Sequence, residues 1–195
     1  MKIRAARRSQ DVILEMKPRN STLPPISVPE VNLKKILVPI DFSTQSRKAM
    51  RYALSFAKQF NAEVFLLHVV ELTPLPAPPL TVVQDEATQV AVHETAAKEL
   101  AEWRNEISSE AAVKASVRSG LSASAEIANA ATEGNFDLII LGTQGRTGPA
   151  HLLIGSTAER VVRHAPCPVM VVREREHDFV ANSEGTRETK VKRVK

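Results

Sequence analysis

FDLIILGTQGRTGPAHLLIGSTAERVVRHAPCPVMVV, from Phe136 to Val172, is the stretch from which the rest of the chain can be read. Leu138-Ile139-Ile140-Leu141 is an apolar run too short for a helix core and bounded by a turn residue, which predicts a buried strand. Gly142 ends it. Gly145 and Gly148 follow, and Gly155-Ser156-Thr157 leads into Ala158-Glu159-Arg160-Val161-Val162-Arg163, a helix by pattern. Glycines let backbone N–H groups turn toward one point and let a ligand approach without meeting a Cβ. Ser156 or Thr157 falls where the helix begins, and the free N–H groups of a helix start favour anions. Strand, glycine loop and helix start together outline a phosphate site. A plain turn is the competing reading of such a loop.

Neither G-x-x-x-x-G-K-[ST] nor G-x-G-x-x-G is present, so a P-loop and a dinucleotide fingerprint are both excluded. The spacing is instead Gly142, two residues, Gly145, nine residues, then Gly155-Ser156. That spacing resembles the nucleotide-binding motif of the ATP-binding branch of the universal stress protein family, and the resemblance runs from about Lys34 to Val172.

The 195 residues suffice for one domain with a sizeable core, and 43% of them are hydrophobic. No apolar stretch approaches a membrane span, the longest being broken by His68, Pro39 or Pro168. The N-terminal segment is charged throughout, so a secretory signal is not expected. The single Cys167 excludes an internal disulfide and suits a reducing, cytoplasmic setting. The formal charge of +4 raises the question of nucleic acid. Between Leu33 and Val172, however, 13 Lys+Arg face 14 Asp+Glu, so the basicity lies in the ends. One Tyr and one Trp make a poor base-stacking surface, and nucleic-acid binding by the core is disfavoured.

Three segments are predicted: a flexible arm over 1–32, a folded domain over 33–173 and a charged, solvated tail over 174–195. Pro18, Pro24, Pro25 and Pro29 break any period in the arm, although Asp11 to Met16 has the makings of a helical turn. Ile36 to Ser43 opens the domain as a strand covered on both faces, with Asp41 at its C-terminal end. Asp41 reads either as a turn carboxylate or as a ligand group. Ser43 caps a helix from about Thr44 to Phe60 whose inner face carries Ala49, Ala53, Phe56 and Phe60. Ala62 to Glu71 is the next strand. His68 within it reads as a packed or capped histidine, since no second metal ligand stands at a useful spacing. Leu72 to Thr81, with four prolines, is an exposed loop, a connector or a flap. Gln84 to Ser109 reads as a long helix with Val90, Ala97, Leu100, Ala101 and Ile107 inward. Ala112 to Arg118 alternates as a half-exposed strand. A helix capped by Ser122 or Ser124 then runs to about Glu133, and Gly134-Asn135 closes it with a left-handed turn. Cys167 to Val172 is the last strand, an edge flanked by Pro166 and Pro168.

The order β-α-β-α-β-α-β-α-β predicts an α/β fold, a five-stranded parallel sheet with helices on both faces, Rossmann-like in kind. Ligands in such sheets collect where strand order reverses, here between the strands ending at Asp41 and Gly142. The resemblance implies the same fold and assigns roles. Asp41 approaches the ribose. Val69 and the Pro39–Ile40 backbone hold adenine, and Gly142 lies under the ribose. Gly145, Gly155, Ser156 and Thr157 donate to phosphates. Arg146 either adds a charge-assisted bond or faces solvent. It further implies ATP as ligand, with AMP or ADP as alternatives and Mg²⁺ an open addition, and a homodimer through Val169–Val172. Three functions stand: an ATP-binding stress-response module, which the intact spacing favours; a slow ATPase or phosphotransferase in the same pocket; and a nucleotide-free interaction module. No catalytic set is evident, and His151 in the spacer reads as a surface histidine.

Overall fold

The computed structural model describes residues 2–5, 12–15, 29–72, 86–107, 112–143, 154–173 and 178–180. The chain divides into two units, Met1–Val31 and Asn32–Lys195. In the first, β1 (Lys2–Ala5) pairs antiparallel with β2 (Val12–Glu15), Lys2 opposite Glu15 and Ala5 opposite Val12. The helical turn expected near Asp11–Met16 is therefore not formed over Val12–Glu15. The β-branched Val12 and Ile13 favour the extended backbone that the pairing uses.

The second unit runs β3 (Lys35–Pro39), α1 (Thr44–Phe60), β4 (Glu63–Glu71), α2 (Glu86–Asn105), β5 (Val113–Gly120), α3 (Ala123–Glu133), β6 (Leu138–Gly142), α4 (Ser156–His164) and β7 (Val169–Val172). Its five strands are all parallel in the order β5-β4-β3-β6-β7, the expected doubly covered sheet. Alternation along β3 sends Ile36 and Val38 into the core under α1 and α2, and Leu37 into the core under α3 and α4. All three are essentially fully buried, each contributing about 1.5–3 kcal/mol over an exposed position. Both faces of the central strands are covered, so their sequence reads as a continuous apolar run rather than an alternation.

Two features open the sheet at one end. The Asp137 carboxylate accepts from Lys34 N and Lys35 N, both at 2.8 Å, and so staples the N-terminal ends of β3 and β6 together. The β3–β6 register then covers only Ile36 opposite Leu138 and Leu37 opposite Ile139. Beyond those pairs the two strands are no longer in register. The opening lies where strand order turns back.

One local expectation holds and three change. The left-handed turn expected at Gly134-Asn135 does close α3, with Asn135 as its left-handed residue at φ 49°. Asn135 N donates to Thr132 O and Phe136 N to Ala131 O, which closes the helix as a Schellman motif. Gly134 is needed for space instead, because a Cβ there would lie 2.3 Å from the Phe136 ring. The cap of α3 is different. Ser122 holds the N-cap position without a side-chain bond, and the Glu71 carboxylate from β4 accepts from Ala123 N at 2.7 Å. In α2 the inward residues are Ala96, Leu100 and Trp103, while Val90 is half exposed and Ala97 and Ala101 face out. The last strand starts at Val169 rather than Cys167, and the preceding Pro168 carbonyl already accepts from Ile139 N. The thiol of Cys167 is half-buried, and burial, then the Asp137 charge, pushes its pKa up. The loop over Leu72–Thr81 falls outside the described residues beyond Leu72.

The C-terminal segment departs from a solvated tail at one place. Asp178 Oδ1 accepts from the Tyr52 hydroxyl at 2.7 Å and pairs with Lys48 Nζ at 2.9 Å. Lys48 also donates to the Arg173 carbonyl at 2.8 Å, so one ammonium ties both sides of residues 174–177. Phe179 meets Tyr52 edge-on at 5.0 Å, and Val180 packs against the core. The Lys48 bond, then the Tyr52 bond, holds the Asp178 carboxyl below its ordinary pKa. A carboxyl lowered on folding stabilises above its unfolded value of about 3.9, and that contribution is lost as pH falls through the folded value. Asp178→Asn should therefore lower the melting midpoint at neutral pH, and the gap to the parent should close on acidification below about pH 4. Scanning calorimetry at stepped pH reads this directly, and a gap independent of pH removes the assignment.

Candidate functional site

A cavity of about 800 Å³ opens at the switch point. Its floor is the C-terminal ends of β3, β4 and β6, and α4 begins at its rim. The middle of α2, through Ala91, Val92, Thr95, Ala96 and Glu99, makes a further wall. The size suits a small-molecule ligand rather than a peptide groove.

The β3–α1 connection is a four-residue elbow, Ile40 to Ser43. Ile40 N donates to Leu67 O at 2.8 Å and carries the sheet one residue past β3. Asp41 Oδ1 then accepts from Ser43 N at 3.1 Å and from Ser43 Oγ at 2.6 Å. Ser43 Oγ in turn accepts from Ser46 N at 3.1 Å, the cap that starts α1. Between Asp41 and this cap stands Phe42 at φ 64°, a left-handed conformation that a bulky residue adopts only when its surroundings impose it. His68 Nδ1 lies 2.7 Å from the Ile40 carbonyl. A carbonyl only accepts, so this nitrogen carries the proton, and His68 is the tied histidine that was expected.

On β4 the backbone alternates between its neighbours. Val64 N donates to Ala112 O on the β5 side, and Glu63 N donates to Lys34 O on the β3 side. By the same parity Leu67 and Val69 address the β3 side, but β3 has ended opposite Leu67. The N–H and C=O of Val69 therefore face the opening as a ready donor–acceptor pair.

The β6–α4 side supplies the complementary chemistry. Gly142 is followed by Thr143, which is buried, donates through its N–H to Val172 O at 2.9 Å and accepts from Gly155 N at 2.6 Å. Both ends of the intervening loop are thus pinned to one residue. Gly155, at φ −73° and ψ 156°, is the N-cap of α4 and offers no side-chain bond. The first-turn N–H groups of Ser156, Thr157 and Ala158 have no intrahelical acceptor by helix geometry, which leaves a positive dipole end at the rim. Among the described lining residues the charged groups are Asp41, Glu71 and Glu99, with no Lys or Arg. Among the described residues, the positive potential at this rim comes from backbone dipoles. Among the described residues no three His, Cys, Asp or Glu side chains cluster as a metal site.

Pro39, Ile40, Asp41, Val69, Gly142, Gly155, Ser156 and Thr157 all line this one cavity. Gly145 and Arg146, with Gly148, Pro149 and His151, lie outside the described residues. Sequence reasoning missed Phe42, Thr143 and the α2 wall. A positive φ leaves no mark on a phenylalanine, and Thr143 sits among polar neighbours that hide its burial. Gly142 has a second duty as well, since a Cβ there would lie 2.8 Å from Gln45 Cβ in the first turn of α1.

Residues 32–173 match the universal stress protein family. The chain belongs to that family. It is 36% identical over 149 residues to a universal stress protein of Methanocaldococcus jannaschii, covering 72% of this chain and 82% of the relative. Universal stress protein UspA from Lactobacillus plantarum superposes with a TM-score of 0.62 at 30% identity, over 74% of this chain and all of its own. Two more distant universal stress proteins share the fold. One, from Archaeoglobus fulgidus, was solved in complex with dAMP (TM-score 0.50, 18% identity, covering 73% and 99% of the two chains). The other was solved with cAMP (TM-score 0.51, 19% identity, 74% and 100%). Among the described residues no helix of this universal stress protein is long and apolar enough to cross a membrane.

Proposed function

We propose that this universal stress protein is an adenine-nucleotide-binding regulatory module with ATP as its ligand. The observation that carries the reading is convergence at the switch-point cavity. A carboxylate, an unpaired strand edge and an uncapped helix start face one space. Adenine presents a donor and an acceptor side by side on one edge, and the Val69 N–H and C=O match that pattern, with Pro39 and Ile40 beside them. The Ile40 N–H is already committed to Leu67, so Val69 carries the base recognition. Asp41 accepts from ribose hydroxyls, and Gly142 lets the sugar lie close. The amides of Ser156 and Thr157, with Gly145 and Arg146 from the adjoining loop, receive the phosphates, while the Gly155 N–H expected to join them is committed to Thr143 O, so that Gly155 serves by keeping the rim open. Asp41, Glu71 and Glu99 favour a nucleotide whose charge is partly neutralised, so a triphosphate enters with Mg²⁺ held by its own phosphates and water. Dedicated catalysis is not part of the reading. The binding of dAMP and cAMP by family members of the same fold supports it.

Mass spectrometry of ligand released from freshly purified protein, followed by calorimetric titration with ATP, ADP, AMP and cAMP, tests the proposal. Saturable ATP binding is expected, and the absence of binding to all four rejects it.

The same reading includes a cytoplasmic homodimer. β7 is an edge of the sheet, with Val169, Met170 and Val171 half-buried and the side away from β6 unpaired within the sheet. Such an edge recruits a second strand, and a twofold axis lets two copies serve each other. Light scattering should give twice the 21.4 kDa chain mass at micromolar concentration, and a monomer mass removes the dimer.

A further inference from the structure

We propose that His68 is a positioning residue that locks the Ile40–Asp41–Phe42 elbow and so holds the Asp41 carboxylate at the cavity wall. What Asp41 meets there rests on the adenine-nucleotide reading, whereas the lock itself rests on geometry. The elbow is strained, since Phe42 at φ 64° pays the steric cost of a left-handed phenylalanine. Strain of this kind persists only where neighbours over-determine it, and here two neighbouring elements do so. From β4, His68 Nδ1–H donates to the Ile40 carbonyl at 2.7 Å, and its ring lies 4.5 Å from the Phe42 ring. From α2, Trp103 meets Phe42 edge-on at 5.6 Å. Trp103 is itself held from outside by the Arg47 guanidinium, 4.2 Å above its ring and paired with Glu106.

The histidine is the side chain of this clamp that fixes the backbone, because it bonds to the Ile40 carbonyl, whereas the bond from Ile40 N to Leu67 O holds only the entry to the elbow. Without that bond the elbow is free to relax to negative φ. Asp41 then moves relative to Ser43, its two bonds there loosen, and the carboxylate turns from its direction at the cavity wall. The donor must stand at the Nδ1 position. An asparagine amide reaches that point, and a glutamine amide overshoots it to the Nε2 position.

The experiment compares the parent chain with His68→Leu, His68→Gln and His68→Asn. Amide hydrogen exchange at Ser43 reads the elbow without any ligand. Roughly tenfold faster exchange is expected in the Leu and Gln variants, with most of the protection restored by Asn. Calorimetry with ATP and 2′,3′-dideoxy-ATP then reads the carboxylate's direction. The parent should prefer ATP by roughly tenfold or more. That preference should collapse toward one in Leu and Gln and return in Asn, while dideoxy-ATP affinity changes little. If the Leu variant does not fold, the Gln and Asn pair decides alone. Ser43 exchange unchanged in Gln, or equal in Gln and Asn, overturns the lock. Altered exchange with an intact ATP preference overturns the link to Asp41. Failure of the parent to bind ATP rejects the nucleotide reading, and the exchange result still decides the lock.

Discussion

Replacing Gly142 with valine should lower the melting midpoint by roughly 5–10 °C, the largest stability loss expected of any single change in the site. The reason is a backbone contact. An ideal Cβ at Gly142 lies 2.8 Å from Gln45 Cβ and 3.1 Å from the Gln45 carbonyl carbon, in the first turn of α1. A flexible side chain could move aside, but a helix backbone cannot. That turn is held by the Ser43 cap and the Asp41 bonds, so it has little freedom to retreat. β6 is held on its other side by β7, in register from Ile139 to Gly142. Overpacking at such a point costs about 1–3 kcal/mol, and branching at Cβ puts valine at or above the upper end. Alanine carries only the first carbon of the clash and should lose about half as much. Circular-dichroism melts of the two variants check the order. Equal midpoints in parent, Ala and Val chains would mean that α1 and β6 are not in contact there.

Gly155→Val should lower the melting midpoint by only about 2–4 °C and weaken ATP binding by roughly a hundredfold. At φ −73° and ψ 156° the backbone is in a region open to every residue, so glycine is not needed for conformation. Its value at this site is the absence of a side chain over the first turn of α4. A valine there stands between the phosphates and the N–H groups of Ser156 and Thr157. Losing one hydrogen bond to a charged group costs about 1.5–3 kcal/mol, and blocking two N–H groups together gives the predicted factor. The helix loses only cap preference, about 1 kcal/mol. Ser156→Ala removes one hydroxyl and keeps its N–H, so a loss nearer tenfold is expected. Calorimetry on both variants decides the matter. Parental ATP affinity in Gly155→Val would place the phosphates elsewhere.

These two glycines show how far a sequence carries the argument. Both are legible as glycines after a strand and before a helix, and both line the cavity as that pattern suggests. Yet one is required by a neighbouring helix and the other leaves a helix start open. The difference depends on Gln45, almost a hundred residues upstream of Gly142.

What the sequence determined by itself is the part governed by neighbours in the chain. Apolar runs at Ile36–Pro39 and Leu138–Leu141 set the buried strands, Ser43 sets the start of α1, and the β-α alternation sets a parallel sheet. From that order the position of the crevice follows, because parallel strands need crossovers and crossovers of one hand place the switch point. Tertiary structure decided whatever depends on residues distant in sequence. Phe42 turns left-handed because His68 and Trp103 hold it there. Glu71 caps α3 in place of the nearby serines, and Asp178, still exposed, is tied to Tyr52 and Lys48. The inward face of α2 keeps Leu100 and takes Ala96 and Trp103 in place of Val90, Ala97 and Ala101. Local pattern carries propensities of a kilocalorie or less per residue. A charge-assisted bond, or a ring buried against the core, outweighs that preference, and only the folded chain brings those partners together.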